Sequence, residues 1–377
     1  MSTDSDTRAD TAIDDRADTD PSDVAHDEAG THIHVGAESP RATVVVTQRE
    51  RFGMTAESLE SLFANTDEAF DLVYVDANSP RRHAEHLAAE ADRRGFTLIR
   101  RERYLTPNQA RNVGLAAATT PYVVFVDNDV LYTPGWLTAA IDCAEETGAA
   151  VVAPLICQAL PAHETIHHAG GDYTDPDRID TFFADVPEPG RPFVEVMHGH
   201  GQPMAGRTGS MQRAETGFCE FHAVLARRDL FDTIGPLDEK MLSTKEHIDF
   251  SMATRAAGHS VWFEPSSVVT YVFPNRDRPL EVSDWPFFAL RWSDVHGRRS
   301  LEHFVDKWQL DPPEGYVEEK KRIYGYRRVQ AILVPMMRRV PLLKRSPTYS
   351  TRAGFVLAHL ERPLNRLFVA YHDRRAA

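Results

Sequence analysis

The sequence predicts an α/β protein built on a Rossmann-like, mostly parallel sheet flanked by helices, with a helical C-terminal extension. Three observations carry this. Short β-branched runs, apolar on both faces, recur between residues 41 and 160, as interior strands of a parallel sheet require. Helix-like segments with their own start and stop signals separate them. Two of the runs end in aspartate, where such sheets gather their ligands.

ATVVVT (42–47), DLVYVD (71–76) and YVVFVD (122–127) are the strands of this core. Between the last two, Ser79 and Pro80 open RRHAEHLAAEADRRG, with Ser79 as cap, Pro80 in the first turn and Gly95 as the stop. Thr106 and Pro107 open NQARNVGLAAA in the same way. The βαβαβ order implies right-handed crossovers and a ligand crevice beyond the carboxyl ends of the strands.

Before the first strand, residues 1–40 hold eleven acidic and two basic residues and almost no large apolar ones. Such a segment buries too little surface to offset its ordering entropy, and it is expected to be a disordered acidic tail. The net charge of −14 and Asp/Glu-rich composition resemble those of salt-adapted proteins, and no nucleic-acid partner is expected. Cys143, Cys157 and Cys219 are odd in number and lack metal-ligand spacing. With no signal peptide or membrane-length apolar run in view, the expected location is cytoplasmic, with contact to the inner face of the cell membrane at most.

VVFVDNDVLYTPGW (123–136) carries the central question. Two carboxylates two residues apart repel unless a positive group lies between them. In extended backbone, residues i and i+2 share a side, so Asp127 and Asp129 aim at one point while Asn128 faces away. That suits a hard divalent cation, Mn²⁺ or Mg²⁺, completed by substrate phosphates. The bland alternative is a pair of turn-forming aspartates accepting backbone N–H bonds.

Residues 42–272 resemble the family 2 glycosyltransferases, which share the GT-A fold. The likeness runs in order through ATVVVTQRE, VYVDANS, NQARNVGLAAATTPYVVFVDNDV, ETGFCEFHAVLARRDLFDTIGPLDE and KEHIDFSMATRAAGHSVWFEPSSVVTY. It implies that Thr47 and Arg49 approach base and ribose, that Asp76 contacts the nucleoside, and that Arg111 and Asn112 lie in the sugar-nucleotide segment. Asp127, Asn128 and Asp129 become the metal motif, with Asp127 also toward the ribose. It further implies an inverting transfer from a nucleotide diphosphate sugar (UDP or GDP) to a glycan or lipid-linked acceptor.

Two residues depart from the family pattern. At the catalytic helix the usual aspartate base is replaced: Glu246 is kept, His247 follows, and Asp249 comes next. Glu246 and His247 are both chemically competent to take the acceptor proton. After the last strand, Tyr271 stands where a histidine is usual. A metal held by Asp129 and phosphate alone would bind weakly without nucleotide.

HETIHHAGG (His163, His167, His168) and MHGHGQPM (His198, His200) lack a zinc pattern and read as an acceptor wall or lid. The expected division is a tail (1–40), a glycosyltransferase domain (41–275) and a helical extension (276–377). In the extension, WPFFALRWSDVHGRRSLEHFVDKWQL has helical spacing that packs on the domain. YGYRRVQAILVPMMRRVPLLKR, broken by Pro335 and Pro341, alternates basic pairs with apolar runs. It reads either as membrane contact through 320–345 or as packed helices with a basic outer face. A nucleotidyltransferase and a catalytically silent sugar-nucleotide or glycan-binding protein are the competing readings. The first would need a better phosphate loop than TQRERFGM; the second would bind nucleotide without turnover.

Overall fold

The structure, a computed structural model, describes residues 39–175, 178–183, 194–207, 209–274, 278–311 and 315–376. The expected acidic tail, except Ser39 and Pro40, lies outside the described residues. The chain begins with β1 (Ala42–Thr47), α1 (Thr55–Ala64), β2 (Phe70–Ala77), α2 (Arg81–Arg94), β3 (Thr97–Arg101), α3 (Pro107–Ala117) and β4 (Tyr122–Asp127). It continues through β5 (Val130–Tyr132), α4 (Trp136–Thr147), β6 (Val151–Gln158), β7 (Ile166–His168), β8 (Gly171–Asp175), β9 (Arg178–Phe183) and β10 (Val194–Met197). Next come β11 (Ala214–Glu215), β12 (Ala223–Arg227), α5 (Leu230–Ile234), α6 (Glu246–Ala256) and β13 (Val261–Tyr271). Helices α7 (Trp285–Arg291), α8 (Asp294–Trp308), α9 (Tyr316–Arg328), α10 (Val334–Arg338) and α11 (Pro347–Ala376) form the C-terminal region.

The main sheet has the order β11-β13-β6-β12-β4-β1-β2-β3, with β5 on β13 and β7 on β6. Strands β1 to β4 are mutually parallel, with β1, β2 and β4 in sequence-predicted places, and all six residues of β1 are buried. Helices cover both faces, which is why these strands are apolar throughout. The β4-β1-β2-β3 part is the Rossmann-like parallel sheet that the sequence predicts. The sheet is nonetheless mixed: β12 runs antiparallel to both β4 and β6. That reversal sets the start of β12 beside the end of β4, where the Asp127 amide donates to the His222 carbonyl at 3.2 Å.

Local expectations needed three corrections. Strand β3 was not anticipated, because TLIRR is a half-exposed edge ending in two arginines and lacks the all-apolar signature. Ser79 does not cap α2. Pro80 occupies the cap position, and the Ser79 amide and hydroxyl are spent on the Asp76 carboxylate at 2.8 and 2.9 Å. Pro335 does not break its helix either. A π-helical turn, Val329–Leu333, precedes it and leads straight into α10 with the proline in the first turn, where its missing N–H costs nothing. Thr106 caps α3 and Pro107 opens it as read, and the Thr106 amide donates to Gln109 Oε1 at 3.1 Å.

The C-terminal helices brace the first loop of the sheet. Arg291 donates to Glu50 at 2.9 Å, both side chains being buried, and the Phe52 amide donates to Asp284 at 3.0 Å. Helix α3 lies close on β1 because Gly114 has no side chain: a Cβ there would sit 2.1 Å from Val45 Cγ1. Gly114→Ala should therefore destabilise the protein by about 1–3 kcal/mol through overpacking, read as a lower denaturation midpoint. Combining it with Val45→Ala should cost less than the two single changes summed; strict additivity would refute the contact.

Candidate functional site

The carboxyl ends of β1 and β4, the approach to β12, the end of β13 and the first turn of α6 converge on one group of charged side chains. Asp127, the last residue of β4, is fully buried. Its Oδ2 accepts from Arg49, in a contact that is also an ion pair, and from His222 Nδ1 at 2.8 Å. Arg111 Nη2 lies 3.6 Å from Oδ1, which has no hydrogen-bond partner. Burial by itself raises the Asp127 pKa, but Arg49, His222 and Arg111 override it and lower the value.

Asp129 differs. Its carboxylate makes no hydrogen bond among the described residues, and burial, followed by the charge of Asp127, pushes its pKa up to about 8. Its backbone carbonyl accepts from the Val272 amide at 2.9 Å, and β5 pairs with β13 directly after it. The doublet is therefore not two equivalent ligands: one oxygen edge of Asp127 is committed to cations of the protein, while Asp129 and Asp127 Oδ1 stay open.

Several sequence-predicted residues have other employment. Asn128 is buried and binds the loop after β1, accepting from the Arg49 amide at 3.0 Å and donating to the Arg51 carbonyl at 3.1 Å. It pins that loop to β4, with its side chain fully buried. Arg111 is wholly buried with its guanidinium 3.9 Å over the Phe221 ring, so it supports Asp127 from beneath. Asn112 clamps the 237–239 segment through the amide and carbonyl of Leu237 and the Glu239 carboxylate. Asp76 is fully buried and paired with Arg100 and Ser79. Thr47, fully in line with Asp127 in the sheet register, reaches the Val126 carbonyl at 3.5 Å. Each of these departures has one cause: a buried polar side chain takes the nearest partner the fold supplies.

At α6 the three acidic and basic candidates separate cleanly. Asp249 accepts from Lys307 at 2.9 Å and from Trp308 at 2.8 Å, tying α6 to α8; it is a structural anchor and not an open acid. His247 lies 3.4 Å from Glu220, and burial, then Lys245, holds its pKa well below the usual value. Glu246 is buried, and its Oε2 has no hydrogen-bond partner. It lies close enough to Arg111 and Glu220 for its charge to act on both.

Three side chains at the site escaped the sequence reading in this role: Glu220, His222 and His167. Their donor atoms all lie within 4.8 Å of one another. Burial, then the charge of Glu246, pushes Glu220 up to about 8. Tyr271 stacks flat on His222, with ring centroids 3.7 Å apart at 11°. Tyr271, at the end of β13, thus supports a histidine from the approach to β12. A signal existed: in CEFH the polar residues alternate with Phe221, whose ring is in the core, immediately before the apolar run of β12.

The Asp129 proton sets a pH dependence. The folded state keeps this proton up to about pH 8, whereas an unfolded chain loses it near pH 4. Stability should therefore fall across that window as pH rises. With chelator present, Asp129→Asn should gain on the wild type progressively from pH 4 to pH 8 in thermal melts. Parallel curves would mean that Asp129 is not the strained acid.

Comparison with known proteins places this site in context. The model of the family described as "Glycosyl transferase family 2" matches residues 43–197. Succinoglycan biosynthesis protein ExoW of Rhizobium meliloti is 35% identical over 105 residues, 26% of this chain and 33% of that protein. Pre-mycofactocin glycosyltransferase of Mycobacterium tuberculosis is 24% identical over 179 residues, 48% of this chain and 32% of that protein. The matched parts thus span about a third of these curated relatives. Among solved structures, GalNAc-T7 with UDP, GalNAc and Mn²⁺ aligns at TM-score 0.48 and 14% identity, covering 75% of this chain and 57% of that one. S. aureus TarS 1-349 in complex with UDP aligns at TM-score 0.44 and 15% identity, covering 89% and 92%. Over residues 43–197 the chain is similar to glycosyltransferase family 2.

Proposed function

We propose that the chain is an inverting glycosyltransferase that uses a nucleotide diphosphate sugar, with Glu246 as the base. The observation that carries the assignment is the unpartnered, buried Oε2 of Glu246 in the first turn of α6. A carboxylate oxygen withdrawn from water and left without a donor is suited to accept a proton from a substrate hydroxyl. His247 is the poorer base, because burial and Lys245 lower its proton affinity. In the reaction the acceptor oxygen attacks the anomeric carbon as its proton passes to Glu246. The bond from that carbon to the β-phosphate oxygen breaks on the opposite face, and nucleoside diphosphate leaves.

The acid doublet fits a divalent cation, Mn²⁺ or Mg²⁺. Burial and the charge of Asp127 oppose ionisation of Asp129, which a cation would relieve, and the buried Asp127 Oδ1 has no hydrogen-bond donor. A cation there, when bound with the donor, would neutralise charge on the departing diphosphate. Thr47 and Arg49, at the mouth of the β1 loop, are the proposed neighbours of the nucleoside. Asp76 would join them only by exchanging its Arg100 contact, and Asn112 and Asn128 are dropped from the donor set.

The proposed membrane contact moves from residues 320–345 to α11. In the earlier segment Arg328, Val329, Leu333 and Val334 are buried. On α11, Val356, Leu360, Leu364, Leu367 and Tyr371 recur at helical spacing and are 59–70% exposed. The two acids of α11 are paired, Glu361 with Arg328 and Asp373 with His296 and Arg299. Exposed Arg352, Arg362, Arg366, Arg374 and Arg375 flank the ridge. An apolar ridge edged by arginines on a chain of net charge −14 complements an anionic lipid surface. Among the described residues, no helix is long and apolar enough to cross a membrane.

Two measurements test these proposals. Release of nucleoside diphosphate from a panel of UDP- and GDP-sugars with hydroxyl acceptors should fall about 10²–10⁴-fold in Glu246→Gln, with donor-induced thermal stabilisation retained. Wild-type turnover in that variant would remove Glu246 as the base. Phosphatidylglycerol-containing vesicles should cosediment the protein and neutral vesicles should not, and Leu360→Glu with Leu364→Glu should abolish capture. Binding unchanged by those substitutions, or a dimer lost through them with no vesicle capture, would refute the lipid reading.

A further inference from the structure

We infer that His167, Glu220 and His222 form a binding site for a divalent transition-metal ion, separate from the Asp127–Asp129 doublet. The three donor atoms lie within 4.8 Å of one another, close enough for one ion to draw them together. The stronger observation is how the imidazoles are held. His167 Nδ1 is 3.1 Å from Gln158 Oε1, and His222 Nδ1 is 2.8 Å from Asp127 Oδ2. An oxygen acceptor on Nδ1 keeps the proton on that nitrogen and leaves the lone pair on Nε2. This is the usual support for a metal-ligating histidine, in which the outer nitrogen donates to a carboxylate or carbonyl oxygen.

The rings are also fixed in direction. Tyr271 stacks on His222, and the His167 ring stands edge-on to both, with centroids 5.2 Å from His222 and 5.7 Å from Tyr271. The His167 carbonyl accepts from His200 Nδ1 at 2.9 Å, which holds β7 in place. Neighbouring strands supply the set: β7 lies on β6, and Glu220 and His222 are on the approach to β12, which also pairs with β6.

Two imidazoles and one carboxylate leave coordination positions open and favour Zn²⁺, Co²⁺, Mn²⁺ or Fe²⁺ over Mg²⁺ or Ca²⁺. All three ligands belong to the protein, so this ion needs no nucleotide. The ion proposed for Asp129 depends on a pyrophosphate to complete its shell. That difference makes the two sites separable.

The test uses the full chain, stripped with chelator and titrated with Co²⁺ alone, read by visible absorption and by calorimetry. One Co²⁺ per chain should bind in the absence of nucleotide, with ligand-field bands of a nitrogen- and oxygen-ligated ion. His167→Ala and Glu220→Gln should each weaken binding at least tenfold, Gln158→Ala should weaken it by a smaller factor, and Asp129→Asn should leave it unchanged. Far-UV circular dichroism in chelator checks that each variant folds, and Glu220→Gln serves where the histidine variant does not. Absence of nucleotide-free Co²⁺ binding would overturn the site. Loss of binding in Asp129→Asn with retention in Glu220→Gln would assign the ion to the doublet instead. Sugar transfer is read separately, so failure here leaves the glycosyltransferase reading standing.

Discussion

A carboxylate at the end of a buried strand has to be answered by positive groups, and the rest of this site is arranged around that requirement. Asp127 is sealed from water, where an unmatched charge would cost several kcal/mol. Arg49 reaches it from the loop after β1, Arg111 from α3 and His222 from the approach to β12. Three segments distant in sequence are thereby tied to one atom pair. Asn128 then fastens the same loop through its backbone. Removal of any one partner would leave buried charge uncompensated, which is why the loop after β1, with no regular structure of its own beyond a short 3-10 turn, can hold a defined position.

Against this fixed point, the environments of neighbouring acids diverge. Asp127 is driven toward the charged form by its cations, whereas Asp129 and Glu220 are each pushed up to about 8, first by burial and then by a neighbouring acid. Adjacent acids whose environments separate their proton affinities are a common way to divide roles in an active site. Here the arrangement favours the charged form of the strand-terminal carboxylate and opposes it at its neighbours. The cations that hold Asp127 do not reach far enough to satisfy Asp129, whose carboxylate sits beyond the turn.

The C-terminal helices contribute to this site from behind. Glu50, next to Arg49, is held by Arg291 and Trp292, and Phe52 by Asp284. Lys307 and Trp308 of α8 fix Asp249 on α6, one turn from Glu246. Buried polar contacts thus join the C-terminal helices both to the loop after β1 and to α6. The same helical layer carries α11, whose inner face is packed and whose acids are paired inward, so that its outer face is apolar and basic.

Much of the fold was legible because it rests on local signals. The all-apolar runs at 42–47, 71–76 and 122–127, the Thr106–Pro107 helix start and the glycine stops express periodicity and backbone preference within a few residues, and the chain had to obey them. Edge strand β3 escaped because two arginines and partial exposure erase that signal. At the site, sequence established which residues end the strands, and so where a crevice would lie. It did not establish which of their atoms remain open. Asn112 and Asn128, expected beside the donor, and Asp249, expected at the catalytic helix, each bind a neighbouring segment of the fold; Glu220 and His222, from the acceptor-side block, and His167, from the histidine-rich stretch, converge. The reversal of β12 decided this, since it carries His222 from 95 residues away to Asp127. A side chain's partners in a buried cluster follow from which strands lie side by side, and strand adjacency is set by the packing of the whole sheet.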